Sequence, residues 1–217
     1  MNTPTKITVS RIVMIVLMLI ALATLEIIAR TTNLLDSKCL YVGNSNINVI
    51  YLVVCCIFVI AALTDTLDGY LARKNNQVTD LGKFLDPVAD KLLVNSMIIF
   101  LCISRAGLYT GSNQIVFPSF CAIIMVARDI VVDALRFIAA KKNVVIAANI
   151  FGKAKTVCQM VTIPLVLLNG WPFAYFDINW NPYLRIVSFF IYITTFVSLM
   201  SGVIYVIQNK SVFKNEK

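Results

Sequence analysis

Residues 65–90 read DTLDGYLARKNNQVTDLGKFLDPVAD, and four of their carboxylates stand beside long apolar segments. Asp65 and Asp68 are three apart and Asp86 and Asp90 four apart, so on helices each pair projects from one face. Two such faces brought together form an all-oxygen pocket. Hard divalent cations such as Mg²⁺ or Mn²⁺ take carboxylate oxygens, and two ions can clamp the attacking and leaving oxygens of a phosphoryl displacement. Pro87 disfavours helical backbone at the residue before it, which puts Asp86 at an expected kink or helix start. Gly82 offers a place where backbone or ligand can approach closely. A lone Asp near a helix end is commonly a cap. Several acids converging at the edge of apolar spans are costly to desolvate, and that combination points to function.

The surrounding composition says what kind of chain carries these acids. It has 217 residues, 59% of them hydrophobic and only 14% charged, and its mean hydropathy is +0.82. A soluble domain with a polar coat does not have this composition; a polytopic all-α membrane bundle does. With roughly 20 apolar residues needed per span, six runs qualify as candidates: Ile12–Ile28, Val49–Leu67, Val88–Ile103, Ile115–Val132, Thr156–Leu168 and Ile186–Ile207. A short interfacial helix is expected before the first, where Pro4, Lys6 and Arg11 mix with Ile7 and Val9. Residues 1–217 read as a single transmembrane domain. The first run is long and lacks a small-residue cleavage site, so it reads as a retained span rather than a signal peptide.

The chain contains no histidine. That excludes His-based zinc sites and the commonest general base, leaving Asp as the leading proton acceptor. The six cysteines (Cys39, Cys55, Cys56, Cys102, Cys121 and Cys158) show no CxxC spacing and mostly lie within apolar runs, as small core residues do.

An even number of spans puts both termini on one side. Fifteen of the 19 Lys and Arg residues then fall on that side, with the four aspartates, and only Arg30, Lys38, Arg105 and Arg185 on the other. The positive-inside rule makes the aspartate side cytoplasmic. Trp171 and Trp180 lie in the opposite loop, where belt residues are expected. The net charge of +8 suits orientation and anionic lipid headgroups. Nucleic-acid binding is not indicated, because no soluble basic domain with interleaved aromatics accompanies the charge.

Written as a pattern, the central stretch is D-x2-D-G-x2-A-R-x8-G-x3-D-x3-D, filled by Asp65, Asp68, Gly69, Ala72, Arg73, Gly82, Asp86 and Asp90. This resembles the CDP-alcohol phosphatidyltransferase family at every motif position. Weaker likeness runs along the rest of the chain: Thr8 and Arg11, Lys91-Leu-Leu, Arg128 through Arg136, and Gly152-Lys-Ala-Lys-Thr156. Within the family it is nearest to the bacterial members that use glycerol 3-phosphate. The resemblance implies a homodimer of six-helix bundles in the bacterial cytoplasmic membrane that transfers a phosphatidyl group from CDP-diacylglycerol to an alcohol and releases CMP. It implies that Asp65, Asp68, Asp86 and Asp90 hold two divalent ions, with Asp90 also the base for the acceptor hydroxyl. Gly69, Ala72, Arg73 and Gly82, with Thr8 and Arg11, would meet CDP-diacylglycerol.

The choice of acceptor rests on charge. Glycerol 3-phosphate needs cationic partners, and Arg128, Arg136 and Lys153 are the expected ones. Asp129 and Asp133 lie among them and alter the local electrostatics. Inositol phosphate, phosphatidylglycerol and serine stay open as other acceptors. A different class, a divalent-cation transporter passing ions along intramembrane acids, is also compatible with the aspartates; the acids gather at one end, and the far half holds only Glu26, Asp36 and Asp177.

Overall fold

The computed structural model describes residues 3–31, 47–74, 80–103, 115–142, 150–177 and 179–209, with side chains throughout except at 3–7, 26, 29, 30, 65–74 and 80–84. These residues form seven helices, α1 (Thr3–Thr31), α2 (Val49–Lys74), α3 (Asp80–Ile103), α4 (Ser119–Lys141), α5 (Ile150–Leu167), α6 (Ala174–Asp177) and α7 (Ile186–Gln208), and no β-strand. Each expected apolar run overlaps one of the six long helices; the fourth overruns α4 at its start, where residues 115–118 are extended and Pro118 precedes the helix, and the fifth passes the end of α5 by one residue. By length and apolarity, α1 (over Thr8–Leu25), α5 and α7 can cross a membrane, and α2 adds a shorter apolar stretch, Val49–Thr64. The third and fourth runs carry more charge: α3 contains Asp86, Asp90 and Lys91, and α4 contains Arg128, Asp129, Asp133 and Arg136. Those charges belong to the site described below.

Three expectations are corrected. The first turns of α1 take the place of a separate interfacial helix, because helix runs unbroken from Thr3. Asp86 is not at a helix start: α3 begins at Asp80 and carries Pro87 inside, so Asp86 and Asp90 share a helix at i, i+4 and lie on one face. The fifth span begins at Ile150, not Thr156, which places Lys153 and Lys155 on the helix itself.

Local chemistry sets the ends. The Asn48 carboxamide oxygen accepts from the Ile50 amide at 2.8 Å and caps α2. Asp177 accepts from the Ile186 amide at 2.8 Å, so a carboxylate sits at the start of α7, where the helix dipole favours it. Asn169 and Gly170, with φ of 49° and 84°, turn the chain out of α5. A side chain at Gly170 would also meet Ile115 Cδ1 at 2.7 Å. The Asn169 side chain accepts from the Ile115 amide at 3.1 Å and pins the extended entry to α4.

One apolar core joins α1, α2, α3, α4, α5 and α7, with Ile15, Phe58, Met97, Cys121, Ile163 and Ile191 among its buried members. The outward faces are no less apolar: Leu17, Ile123, Val157 and Phe196 are all more than 60% exposed. Helices apolar on both faces suit a lipid surround. Helix α7 turns a face of small residues, Ser198, Ser201 and Gly202, inward, which lets neighbouring helices approach closely. Thr162 of α5 and Thr194 of α7 share a buried hydrogen bond of 2.8 Å. Such intramembrane bonds contribute on average about 0.6 kcal/mol.

Candidate active site

The polar side chains converge at the end of the bundle where α1, α3 and α5 begin and α4 and α7 finish. There a cavity of about 370 Å³ opens between two walls of opposite charge. One wall is α3, with Asp86 and Asp90. Facing it are Arg128 and Arg136 from α4 and Lys153 and Lys155 from α5, with Tyr205 of α7 behind. Among the described charged side chains, only Asp177 and Arg185 lie at the far end.

The acidic wall is held from α1. Thr8, itself buried, donates its hydroxyl to Asp86 Oδ1 at 2.7 Å. Asp86 is exposed to the cavity and Asp90, one turn on, is half-buried. Thr8, which the family resemblance places near CDP-diacylglycerol, thus stands beside a cavity carboxylate. Arg11 is buried one turn further along α1. Asp65, Asp68, Gly69, Ala72 and Arg73 occupy the last turns of α2, and Gly82 the first turn of α3; their side chains lie outside the described residues, as does Cys39.

The basic wall is a network drawn from three helices. Asp129, 3% exposed, receives the Lys155 ammonium on both oxygens at 2.8 and 2.7 Å and Arg128 Nη1 at 3.0 Å. Arg128 Nη2 donates to Ser201 Oγ at 2.5 Å. Arg136 Nε donates to the Tyr205 hydroxyl at 3.1 Å, and its guanidinium lies 5.6 Å from that ring's centroid. Lys91 pairs with Asp133. Lys153 is exposed at the rim.

These pairings settle what the two extra acids do. Asp133 is matched by Lys91 and leaves the cavity's charge alone. Asp129 neutralises one of the two cations it touches, so the basic wall keeps a positive excess from Arg128 with Lys155, Arg136 and Lys153. Removing three charges from water in this way is tolerable because each is paired and hydrogen-bonded. Sequence reading picked Arg128, Arg136 and Lys153, and the structure brings all three into the cavity. It missed Lys155 as a wall residue, and Ser201 and Tyr205 altogether. The available signal was their i, i+4 spacing in the last turns of an otherwise apolar helix.

The acidic wall offers carboxylate oxygens, with no sulfur or imidazole, which fits Mg²⁺ or Mn²⁺. Thr8 takes one oxygen of Asp86 and the other faces no described partner. Among the described residues Asp86 and Asp90 alone do not complete a metal site, since no group of three acidic, His or Cys side chains occurs there.

A helical membrane protein whose charged cavity sets carboxylates against guanidinium and ammonium groups is suited to handling phosphates at a bilayer surface. Comparison with known proteins makes the class specific. The family model for CDP-alcohol phosphatidyltransferase matches residues 1–200, and the chain belongs to that family. It is 39% identical over 173 residues, 79% of each chain, to the CDP-diacylglycerol–glycerol-3-phosphate 3-phosphatidyltransferase of Bacillus subtilis. It is 38% identical over 140 residues, 64% of this chain and 72% of the relative, to the protein of that name from Rickettsia bellii. A cardiolipin synthase (CMP-forming) of Oryza sativa is 41% identical over 118 residues, 51% of this chain and 35% of the relative.

Proposed function

We propose that the protein transfers the phosphatidyl group of CDP-diacylglycerol to sn-glycerol 3-phosphate, giving phosphatidylglycerophosphate and CMP. The observation that carries this reading is the pairing of carboxylates and a net-positive wall across one cavity. A diphosphate donor and a phosphorylated acceptor are both anionic, whereas serine, a zwitterion with no net charge, does not call for a wall with several cations. The names of the Bacillus and Rickettsia relatives agree with it.

In this reading Arg128, Arg136, Lys153 and Lys155 hold the acceptor's phosphate and leave its free hydroxyl toward α3. Asp90 accepts the hydroxyl proton. The hydroxyl oxygen forms a bond to the lipid-attached phosphorus, and the bond from that phosphorus to the bridging oxygen breaks. CMP leaves with the electron pair. Asp65, Asp68, Asp86 and Asp90 would hold two divalent ions, Mg²⁺ or Mn²⁺, and such ions neutralise a diphosphate and acidify a hydroxyl. Gly69, Ala72, Arg73 and Gly82 are proposed to receive CDP-diacylglycerol, with Arg11 close by. The protein is read as a homodimer of six-span subunits in the bacterial cytoplasmic membrane, its cavity and termini cytoplasmic, as the Lys and Arg distribution favours.

The test is an acceptor panel. Protein purified in detergent is given CDP-diacylglycerol, Mg²⁺ or Mn²⁺, and in turn glycerol 3-phosphate, inositol phosphate, phosphatidylglycerol or serine. Glycerol 3-phosphate is expected to give labelled lipid and stoichiometric CMP. Absence of both overturns the reading, and a preference for phosphatidylglycerol would replace it with a cardiolipin-forming one. Metal flux in proteoliposomes without CMP release would instead favour a transporter.

A further inference from the structure

The last helix reads in sequence as a plain membrane span, yet in the structure each cavity arginine is fixed by a side chain of α7. Arg128 meets α7 twice. Its Nη2 donates to Ser201 Oγ at 2.5 Å, and its aliphatic stem lies over Gly202. A Cβ built at Gly202 would come within 2.7 Å of Arg128 Cγ and 3.7 Å of its Nε. Because Cγ is near the root of the side chain, an alanine there displaces the whole arginine and carries the guanidinium away from Ser201 and Asp129. Arg136 is caught by the Tyr205 hydroxyl through Nε at 3.1 Å and by the ring at 5.6 Å. Among the described residues its two terminal nitrogens meet no other acceptor, and Arg136 lines the cavity. That is the fork geometry with which arginine receives a phosphate bidentately. Ser201 and Tyr205 are both buried; the Arg128 side chain is 12% exposed, so its contact is largely shielded from water, whereas Arg136 is exposed and is held by the hydroxyl and the ring together.

We propose that Ser201, Gly202 and Tyr205 are specificity-determining positioning residues that preset Arg128 and Arg136 for the phosphate of the acceptor, an assignment that rests on the proposed function. The two arginines stand two turns apart on α4, and α7 fixes the distance between their guanidinium groups. An anion then binds without the ordering that two free, rotamer-rich side chains would require. The residues act through the arginines and take no part in the bond changes.

The test compares wild type with Ser201→Ala, Ser201→Thr, Tyr205→Phe and Gly202→Ala. KM for glycerol 3-phosphate, KM for CDP-diacylglycerol and kcat are measured, and binding of glycerol 3-phosphate to the detergent-solubilised protein is followed by calorimetry. Ser201→Ala and Tyr205→Phe are each expected to raise the acceptor KM and dissociation constant about tenfold, as loss of one hydrogen bond to a charged group does. The donor KM stays in place, Ser201→Thr restores wild-type values, and Gly202→Ala has the largest effect. Equal increases in both KM values, a fall confined to kcat, or unchanged acceptor binding overturns the assignment. If wild type makes no lipid from glycerol 3-phosphate, the function is wrong; calorimetry with inorganic phosphate then decides separately whether α7 sets anion binding, by the same tenfold weakening or its absence.

Discussion

The two walls of the cavity are built differently. Asp86 and Asp90 stand one turn apart on a single helix, and the Thr8 hydroxyl of α1 reaches Asp86. The basic wall is assembled from α4, α5 and α7, through hydrogen bonds that join residues 26, 69 and 73 positions apart in the chain. Its charges depend on each other: Asp129 serves two cations, and each arginine leans on α7. A wall of local origin can lose a member and keep its shape, whereas a cross-helix network cannot.

Substitutions separate these behaviours. Asp90→Asn removes the proposed proton acceptor with little change of shape, so CMP release should fall about a thousandfold while thermal unfolding in detergent is unchanged; near-normal turnover would remove Asp90 from the base role. Thr8→Val releases Asp86, and the Mn²⁺ concentration for half-maximal activity should rise about tenfold. An unmoved metal titration would mean that the 2.7 Å hydrogen bond does not orient the carboxylate.

On the basic wall the effect is on stability. Asp129→Ala leaves Lys155 and Arg128 buried without their shared counter-ion and should cost about 3 kcal/mol, read as a lower unfolding midpoint. Asp133→Ala is the contrast. Lys91 and Asp133 are 30% and 29% exposed, and a pair that wet contributes about 0–1 kcal/mol, so its midpoint should barely move. Similar losses from the two would erase the distinction between a buried network and a surface pair.

The same difference explains what was legible in the sequence. The acids of α3 could be read because their spacing is local and the helix repeat turns it into geometry. Long apolar runs gave the helices for a similar reason: periodicity and length are properties of neighbouring residues. Of the two places Pro87 suggested for Asp86, the helix start is excluded by helix continuing from Asp80, and the start of α5 was placed late because Lys153 and Lys155 look like loop residues until Asp129 is seen to receive one of them. Arg128, Arg136 and Lys153 were found as cations, and the structure gathers them at one cavity. Nothing local says that Asp129 binds Lys155, that Asp133 belongs to Lys91, or that Ser201 and Tyr205 aim the arginines; those facts arise only when α4, α5 and α7 pack.

The central claim, that both walls act together on an anionic donor and an anionic acceptor, is tested most directly by CMP release from CDP-diacylglycerol with glycerol 3-phosphate against glycerol. The account predicts a kcat/KM at least about a hundredfold higher for the phosphorylated acceptor. Equal rates with the two alcohols would mean that the basic wall does not bind the acceptor, and would contradict it.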